Sequence, residues 1–241
     1  MEHKMRKAII IGATSGIGKE LAKLLVNDNY IVGITGRRIK LLEDLKKENP
    51  SKYEIKNFDV QDSKNISKHL NELVKKIGGL DLLIISAGTG DINNNLNFAI
   101  EERTINTNVL GFTAIAGWTF NFFQKQKHGH LVGISSIAGI RGSKDAPSYN
   151  ATKAFQINYL EGLCQKSSKL KNITITDIRP GFVKTRMAKG DGQFWVSHPK
   201  KASEQILNAI KKKRKIAYVT KRWLLIAIAL KLIPKIIYDR I

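Results

Sequence analysis

Acidic residues are scarce in this chain of 241 residues: 20 Asp and Glu stand against 41 Lys and Arg, a formal charge of +21. The excess admits three readings: a nucleic-acid partner, an anionic membrane surface, or a Lys-rich solvated exterior. The basic residues are mostly Lys and run along the whole length, which favours a solvated exterior for most of them. Cysteine is nearly absent. Cys164 alone cannot form an internal disulfide, and no second Cys or His stands at metal-ligand spacing from it, so no metal is expected. A reducing, cytoplasmic setting fits. No apolar run approaches the ~20 residues needed to cross a bilayer. Ala8-Ile9-Ile10-Ile11 is too short for the core of a signal peptide and has no small-residue cleavage site after it, so export is not expected. Repeats and low-complexity segments are also missing.

Short β-branched apolar runs alternate with stretches of helical periodicity. The runs are 8–11, 31–35, 53–58, 80–85, 130–134, 173–178 and 216–219. Helical periodicity covers 18–27, 39–48, 63–77, 102–124 and 149–168. This alternation predicts an α/β fold: a doubly wound parallel sheet of about seven strands. The expected organisation is a nucleotide-binding catalytic domain over 1–220 and a C-terminal helical tail over 221–241.

Gly12-Ala13-Thr14-Ser15-Gly16-Ile17-Gly18 follows the first run and opens the first helix. Glycines let a backbone turn tightly, and a helix N-terminus offers free N–H groups to a pyrophosphate. A glycine-rich turn without a ligand is the bland alternative. Dinucleotide sites that take NAD carry an acid at the end of the second strand. Here that place reads Gly36-Arg37-Arg38. Two guanidinium groups suit a 2′-phosphate, so NADP(H) is the expected cofactor.

Tyr149 and Lys153, four apart on a helix, share a face. A neighbouring ammonium favours phenolate and is expected to lower the Tyr pKa toward neutrality, making an acid–base catalyst. By itself the pair is common on ordinary helix faces. Ser135-Ser136 ends a strand at the edge where such folds bind ligands, and a hydroxyl there can polarise a carbonyl oxygen. Asn108 lies in an otherwise apolar helix and needs a partner. A water leading from Lys153 to solvent is one expectation.

Together these residues resemble the short-chain dehydrogenase/reductase family over roughly residues 5–220. The resemblance implies a catalytic set of Asn108, Ser136, Tyr149 and Lys153, with Ser136 chosen over Ser135 because the family's Ser stands thirteen residues before its Tyr. It implies adenine contacts at Asp59-Val60. The family's Asn-Ala-Gly segment corresponds to Ser86-Ala87-Gly88, with Ser replacing Asn. Pro180-Gly181-Phe182-Val183-Lys184-Thr185 matches the segment whose Val backbone and Thr hydroxyl hold the nicotinamide carboxamide. Lys153 would also reach the nicotinamide ribose. The implied reaction is hydride transfer between NADP(H) and a carbonyl or alcohol. Dimer contacts through the helices near 102–124 and 149–168 are implied too, in a homodimer or homotetramer.

Residues 211–241 hold ten basic residues and one acid around the apolar run Trp223–Leu230, with Pro234 expected to end its helix. Three readings stand: a peripheral anchor on the inner face of a membrane, a cover for the substrate pocket or a partner subunit, or a core helix. The segment 186–199 is expected to line the pocket with Met187, Phe194 and Trp195, and Gly190 and Gly192 to make it a mobile lid. An apolar or lipid-like substrate would follow. A nucleic-acid binder is set aside because it leaves the Tyr, Lys, Ser and Asn set unexplained. A non-catalytic NADP-binding regulator is the remaining alternative, alongside a membrane-associated reductase of a lipid-linked compound.

Overall fold

The computed structural model describes residues 5–187 and 193–240. Seven parallel strands form one sheet in the order β3-β2-β1-β4-β5-β6-β7. They are β1 (Arg6–Ile11), β2 (Tyr30–Gly36), β3 (Tyr53–Asn57), β4 (Leu82–Ile85), β5 (Gly129–Ile134), β6 (Ile173–Pro180) and β7 (Ile216–Val219). Helices α1 (Gly16–Asn27), α2 (Ile39–Glu48), α3 (Ile66–Ile77), α4 (Phe98–Ile105), α5 (Phe112–Gln126), α6 (Pro147–Ser167) and α7 (Pro199–Lys211) connect the strands, and α8 (Trp223–Leu232) and α9 (Lys235–Tyr238) close the chain.

Both faces of the sheet are covered, which is why β4 and most of β1 read as unbroken apolar runs. Ile10, Val32 and Ile84 point into one layer, packed under α1, α2 and α7. Ile9, Leu83 and Leu131 point into the other, packed under α3, α5 and α6. Strand order reverses between β1 and β4, and the crevice at their carboxyl ends is where this architecture receives ligands.

Two expectations change in detail. The helix expected over 102–124 runs from α4 into α5 through a wider π turn at Asn106–Gly111. Single π turns of this kind occur mostly at functional sites. In addition, α7 was not anticipated. It opens with Pro199 in its first turn, and Ala202, Ile206 and Ala209 are buried at helical spacing behind a basic surface.

Away from the crevice, His130 on β5 is partly buried, and its Nε2 lies 2.8 Å from Thr176 Oγ1. Burial, helped by the nearby Lys213, lowers its pKa from 6.5 to about 4. The unfolded chain therefore binds a proton at this residue that the folded chain refuses. Stability from this source is complete above pH 6.5 and is lost as pH falls through 4. At pH 5 the loss is about 2 kcal/mol. Urea unfolding of the wild type and His130→Gln at pH 7.5 and pH 5 should show a smaller acid penalty in the variant by about that amount. Equal penalties would remove His130 as the source.

Candidate active site

The turn after β1 is held open by a close backbone approach. Gly12 has φ +90°, and a Cβ on it would stand 2.7 Å from the backbone nitrogen of Ala87, at the end of the neighbouring β4. Gly16 begins α1. Its N-cap, Ser15, makes no side-chain capping bond, and no acid lies in the first turn. The first N–H groups of α1 are thus left for an anion. Ile17 packs at the rim of the core, and its carbonyl accepts from Ser203 Oγ on α7 at 3.2 Å. The hydroxyl of Ser86 stands 3.1 Å from where a Cβ on Gly18 would be, so the residue that departs from the family pattern still faces the glycine loop.

Positive charge gathers at this loop. Arg38 Nη2 donates to Thr14 Oγ1 at 2.5 Å and to Ser15 Oγ at 2.8 Å. Burial lowers the Arg38 pKa, and the charges of Arg186 and Arg37 lower it further. Arg37 reaches Asp59 at 3.5 Å. The other oxygen of Asp59 accepts the backbone N–H of Gln61 at 3.0 Å, and Val60 presents its carbonyl to Gly111 on the π turn. Arg186 was missed as part of this cluster. Its only sequence signal is adjacency to Thr185, whose methyl stands 3.1 Å from the point a Cβ on Gly16 would occupy.

The two serines after β5 separate cleanly. Ser135 donates to Asp177 Oδ1 and to the Ile178 carbonyl, so it faces β6. Ser136 begins a short 3₁₀ turn over Ile137–Ile140. Its Oγ accepts the Ala138 N–H at 3.1 Å, lies 3.5 Å from the Pro180 carbonyl and acts to lower the Tyr149 pKa. The Tyr149 ring packs on Gly90, a residue with no sequence signal for this contact.

Lys153 is enclosed and donates to the Ile134 carbonyl at 3.0 Å and to Gln156 Oε1 at 2.8 Å. Asn108 is fully enclosed: its Nδ2 donates to the Thr89 carbonyl at 2.7 Å and to Thr152 Oγ1 at 3.0 Å, and its Oδ1 accepts the Thr89 N–H at 2.9 Å. The amide expected to hold a water is thus committed to Thr89 and Thr152, and the bridge from Asn108 to Lys153 runs through Gln156. Both Asn108 Oδ1 and Lys153 Nζ stand within 3.6 Å of the point a Cβ on Gly88 would occupy, and Met187 reaches the same point. The ends of β4, the π turn, α6 and the loop after β6 therefore meet in one place.

The electrostatics correct one expectation. Lys153 does not bring the Tyr149 hydroxyl down. Burial raises the Tyr149 pKa, and only the Ser136 hydrogen bond opposes it. The ammonium sits 5.8 Å from the ring centroid and is itself shifted. Desolvation lowers the Lys153 pKa to about 8, against the pull of Asp177. Asp177 is buried, bonds Arg179 Nε at 2.6 Å and has its own pKa raised by burial.

Beyond β6, Phe182, Phe194, Trp195 and Trp223 form one aromatic cluster. Trp223, from the tail, lies flat against Gly181, where a Cβ would stand 2.0 Å from the indole. The Gly181 N–H donates to the Val219 carbonyl at 2.7 Å, and Val183 bridges to Ser197. Phe194 and Trp195 lie in this cluster and Met187 lies beside Gly88, whereas Gly190 and Gly192 are outside the described residues. Among the described residues no cluster of His, Cys, Asp or Glu side chains is arranged to hold a metal.

A family model described as short chain dehydrogenase matches residues 6–194. That leaves α7, β7, α8 and α9 outside the match. An uncharacterized oxidoreductase of Myxococcus xanthus is 34% identical over 191 residues, 77% of this chain and 75% of that protein. The 3-oxoacyl-(acyl-carrier-protein) reductase FabG of Aquifex aeolicus is 27% identical over 195 residues, 78% of each chain. Among solved structures, ElxO with NADP bound aligns at a TM-score of 0.79 and 24% identity, covering 92% of this chain and 99% of that one. An actinorhodin polyketide ketoreductase with NADPH aligns at 0.80 and 21% identity, covering 90% and 97%. By the family match and the Myxococcus relative, this chain belongs to the short-chain dehydrogenase family.

Proposed function

We propose that this oxidoreductase transfers a hydride between NADP(H) and a carbonyl or secondary alcohol on an apolar or lipid-like substrate. One observation carries the reading: Ser136, Tyr149 and an enclosed Lys153 gather in one place, on the crevice rim that also holds the glycine loop. The residues fit the cofactor. The Gly12 cradle excludes any side chain, the first turn of α1 is uncapped, and Arg37, Arg38 and Arg186 concentrate charge suited to a 2′-phosphate. Relatives named as bound to NADP or NADPH, and as ketoreductases, support the same assignment.

Gly12, Thr14, Ser15, Gly16, Ile17 and Gly18 would hold the pyrophosphate, Asp59 and Val60 the adenine, and Ser86, Ala87 and Gly88 the floor of the crevice. Lys153 and Tyr149 would hold the nicotinamide ribose, and Pro180, Gly181, Val183 and Thr185 the carboxamide. When bound, the nicotinamide supplies or accepts the hydride. Ser136 orients the carbonyl oxygen by donating to it. Tyr149 gives that oxygen its proton. Burial keeps Tyr149 a phenol, the form that reduction requires. Asn108 holds Thr89 and Thr152 around the Lys153 side chain. The aromatic cluster from Phe182 to Trp223 makes the apolar wall.

Tyr149→Phe should lower kcat by on the order of 10²–10⁴-fold while NADPH binding persists. Wild-type turnover in that variant would overturn the role of Tyr149. Binding of NADPH without turnover of any ketone or aldehyde by the wild type would favour a non-catalytic regulator. Arg38→Ala should weaken NADPH about 10- to 100-fold by fluorescence titration and barely change NADH. Equal losses would show that Arg38 supports the loop rather than selecting the phosphate.

A second proposal concerns the tail. α8 is apolar on every side up to Lys231 in its last turn. Trp223 and Ala227 bury one side against Ile137. On the other side Leu225 and Leu232 are 66 and 75% exposed, as is Ile236 of α9 at 74%, among exposed Lys221, Arg222, Lys231, Lys235 and Arg240. No helix of the described residues is long and apolar enough to cross a membrane. An apolar strip ringed by cations suits an anionic lipid surface. A second copy would bring two basic rims together, which opposes self-association. The full chain should float with phosphatidylglycerol vesicles and not with phosphatidylcholine. The triple change Leu225→Asn, Leu232→Asn and Ile236→Asn should abolish flotation. Unchanged flotation would overturn the anchor. A dimer in light scattering that the same changes break would give the face to a second copy.

A further inference from the structure

We infer that Gln156 is the positioning residue for Lys153, tying the ammonium to the π turn and fixing its charge and direction. The inference rests on the role given to Lys153 above. Gln156 follows Lys153 by three residues, on the same face of α6, and is completely enclosed. Its Oε1 accepts from Lys153 Nζ at 2.8 Å, and its Nε2 donates to the main-chain carbonyl of Asn108 at 2.9 Å. Chemistry settles which end of the amide is which. An ammonium has no acceptor and a carbonyl has no donor, so only this orientation pairs both. With the Ile134 carbonyl at 3.0 Å, two neutral oxygens hold two of the three ammonium donors. The third is left for the side of Gly88, where the crevice lies.

The arrangement has an electrostatic consequence. Acceptor bonds to the ammonium favour it over the free amine. They oppose the desolvation that pulls Lys153 down to about 8. The charged and titratable groups facing this ammonium are Asp177 from β6, which shares its carboxylate with Ser135 and Arg179, and Tyr149 on α6 itself. From β5 and the π turn come only neutral groups: the Ile134 carbonyl and the Asn108 amide. A carboxamide also passes no proton readily, so Gln156 separates Asn108 from Lys153 as far as proton transfer goes while joining them mechanically. A residue that merely filled the space would leave the titration of Lys153 unchanged.

Two variants of the full chain test this. Gln156→Leu removes the acceptor and Gln156→Glu replaces it with an anion. The Lys153 Nζ titration is read by NMR in the cofactor-free protein, assigned with Lys153→Arg, and compared with the alkaline limb of kcat/KM. The midpoint should fall by about one pH unit in Gln156→Leu and rise by about one unit or more in Gln156→Glu. If Gln156→Leu does not fold, Gln156→Met removes the amide at similar volume and carries the same expectation. Midpoints that stay in place, or that move together in one direction, would overturn the positioning role even if activity falls. Failure of the wild type to reduce any carbonyl would instead sink the assigned reaction, and the NMR midpoints would still decide the role of Gln156.

Discussion

Enclosing an ammonium near the end of a parallel sheet is costly: the effective penalty for burying an ion is several kcal/mol unless its donors are matched. Lys153 meets that demand with groups from three elements. The Ile134 carbonyl from β5 and Gln156 from α6 accept its hydrogen bonds, and the carboxylate of Asp177 on β6 acts on it through its charge alone. Neither oxygen can move without leaving a buried charge less well matched, so the lysine ties the end of β5 to α6. The same dry surroundings act on Tyr149 in the opposite sense. They penalise its anion and keep its proton on. A lysine held charged beside a tyrosine held neutral is the pairing that proton donation to a carbonyl oxygen needs.

That constraint sits beside a second one. β1 and β4 are neighbours in the sheet, and the turns that leave them touch at Gly12 and Ala87. The chain can pass so closely only without a side chain on Gly12. The result is a shallow floor with the N-terminus of α1 at one end and Lys153 at the other. The π turn serves the same floor from the side. It puts Asn108 Oδ1 against the Thr89 N–H and the Asn108 carbonyl against Gln156. An amide side chain and a main-chain carbonyl of one residue thus brace two different elements.

Much of this was legible in the chain. The seven strands could be read because a sheet covered on both faces needs apolar residues at nearly every strand position, as in Ala8–Ile11 and Leu82–Ile85. The glycine loop and the Tyr-x-x-x-Lys pair are local, and local geometry follows from spacing. Four features were not legible, for separate reasons. Gln156 looks like any polar residue on a helix until packing encloses it. Trp223 meets Gly181 across forty-two positions, a contact no short pattern encodes. The apolar spacing of α7 hides between Lys200, Lys201 and Lys211. The shift of Tyr149 has the sign of desolvation, whereas the residue pattern displays only the neighbouring charge. Spacing reports which groups are near one another, but it carries no measure of how much water remains between them.

The tail makes the same distinction from the other direction. Had α8 been a surface helix of an isolated globule, its outer side would carry polar residues. It carries Leu224, Leu225 and Ile228 instead. Its inner side seats Trp223 on Gly181, in the turn that follows β6, and packs against Ile137, the residue after Ser136. Tyr238 adds a hydrogen bond to the Gly142 carbonyl, and Arg141 lies 4.3 Å from the centroid of its ring. A segment that exposes several large apolar side chains is thus also the segment that packs on the serine turn. Any surface that engages the outer side of α8 acts on a helix whose other side packs on the turn that Ser136 opens, so the two sides of the helix are coupled through its own rigidity.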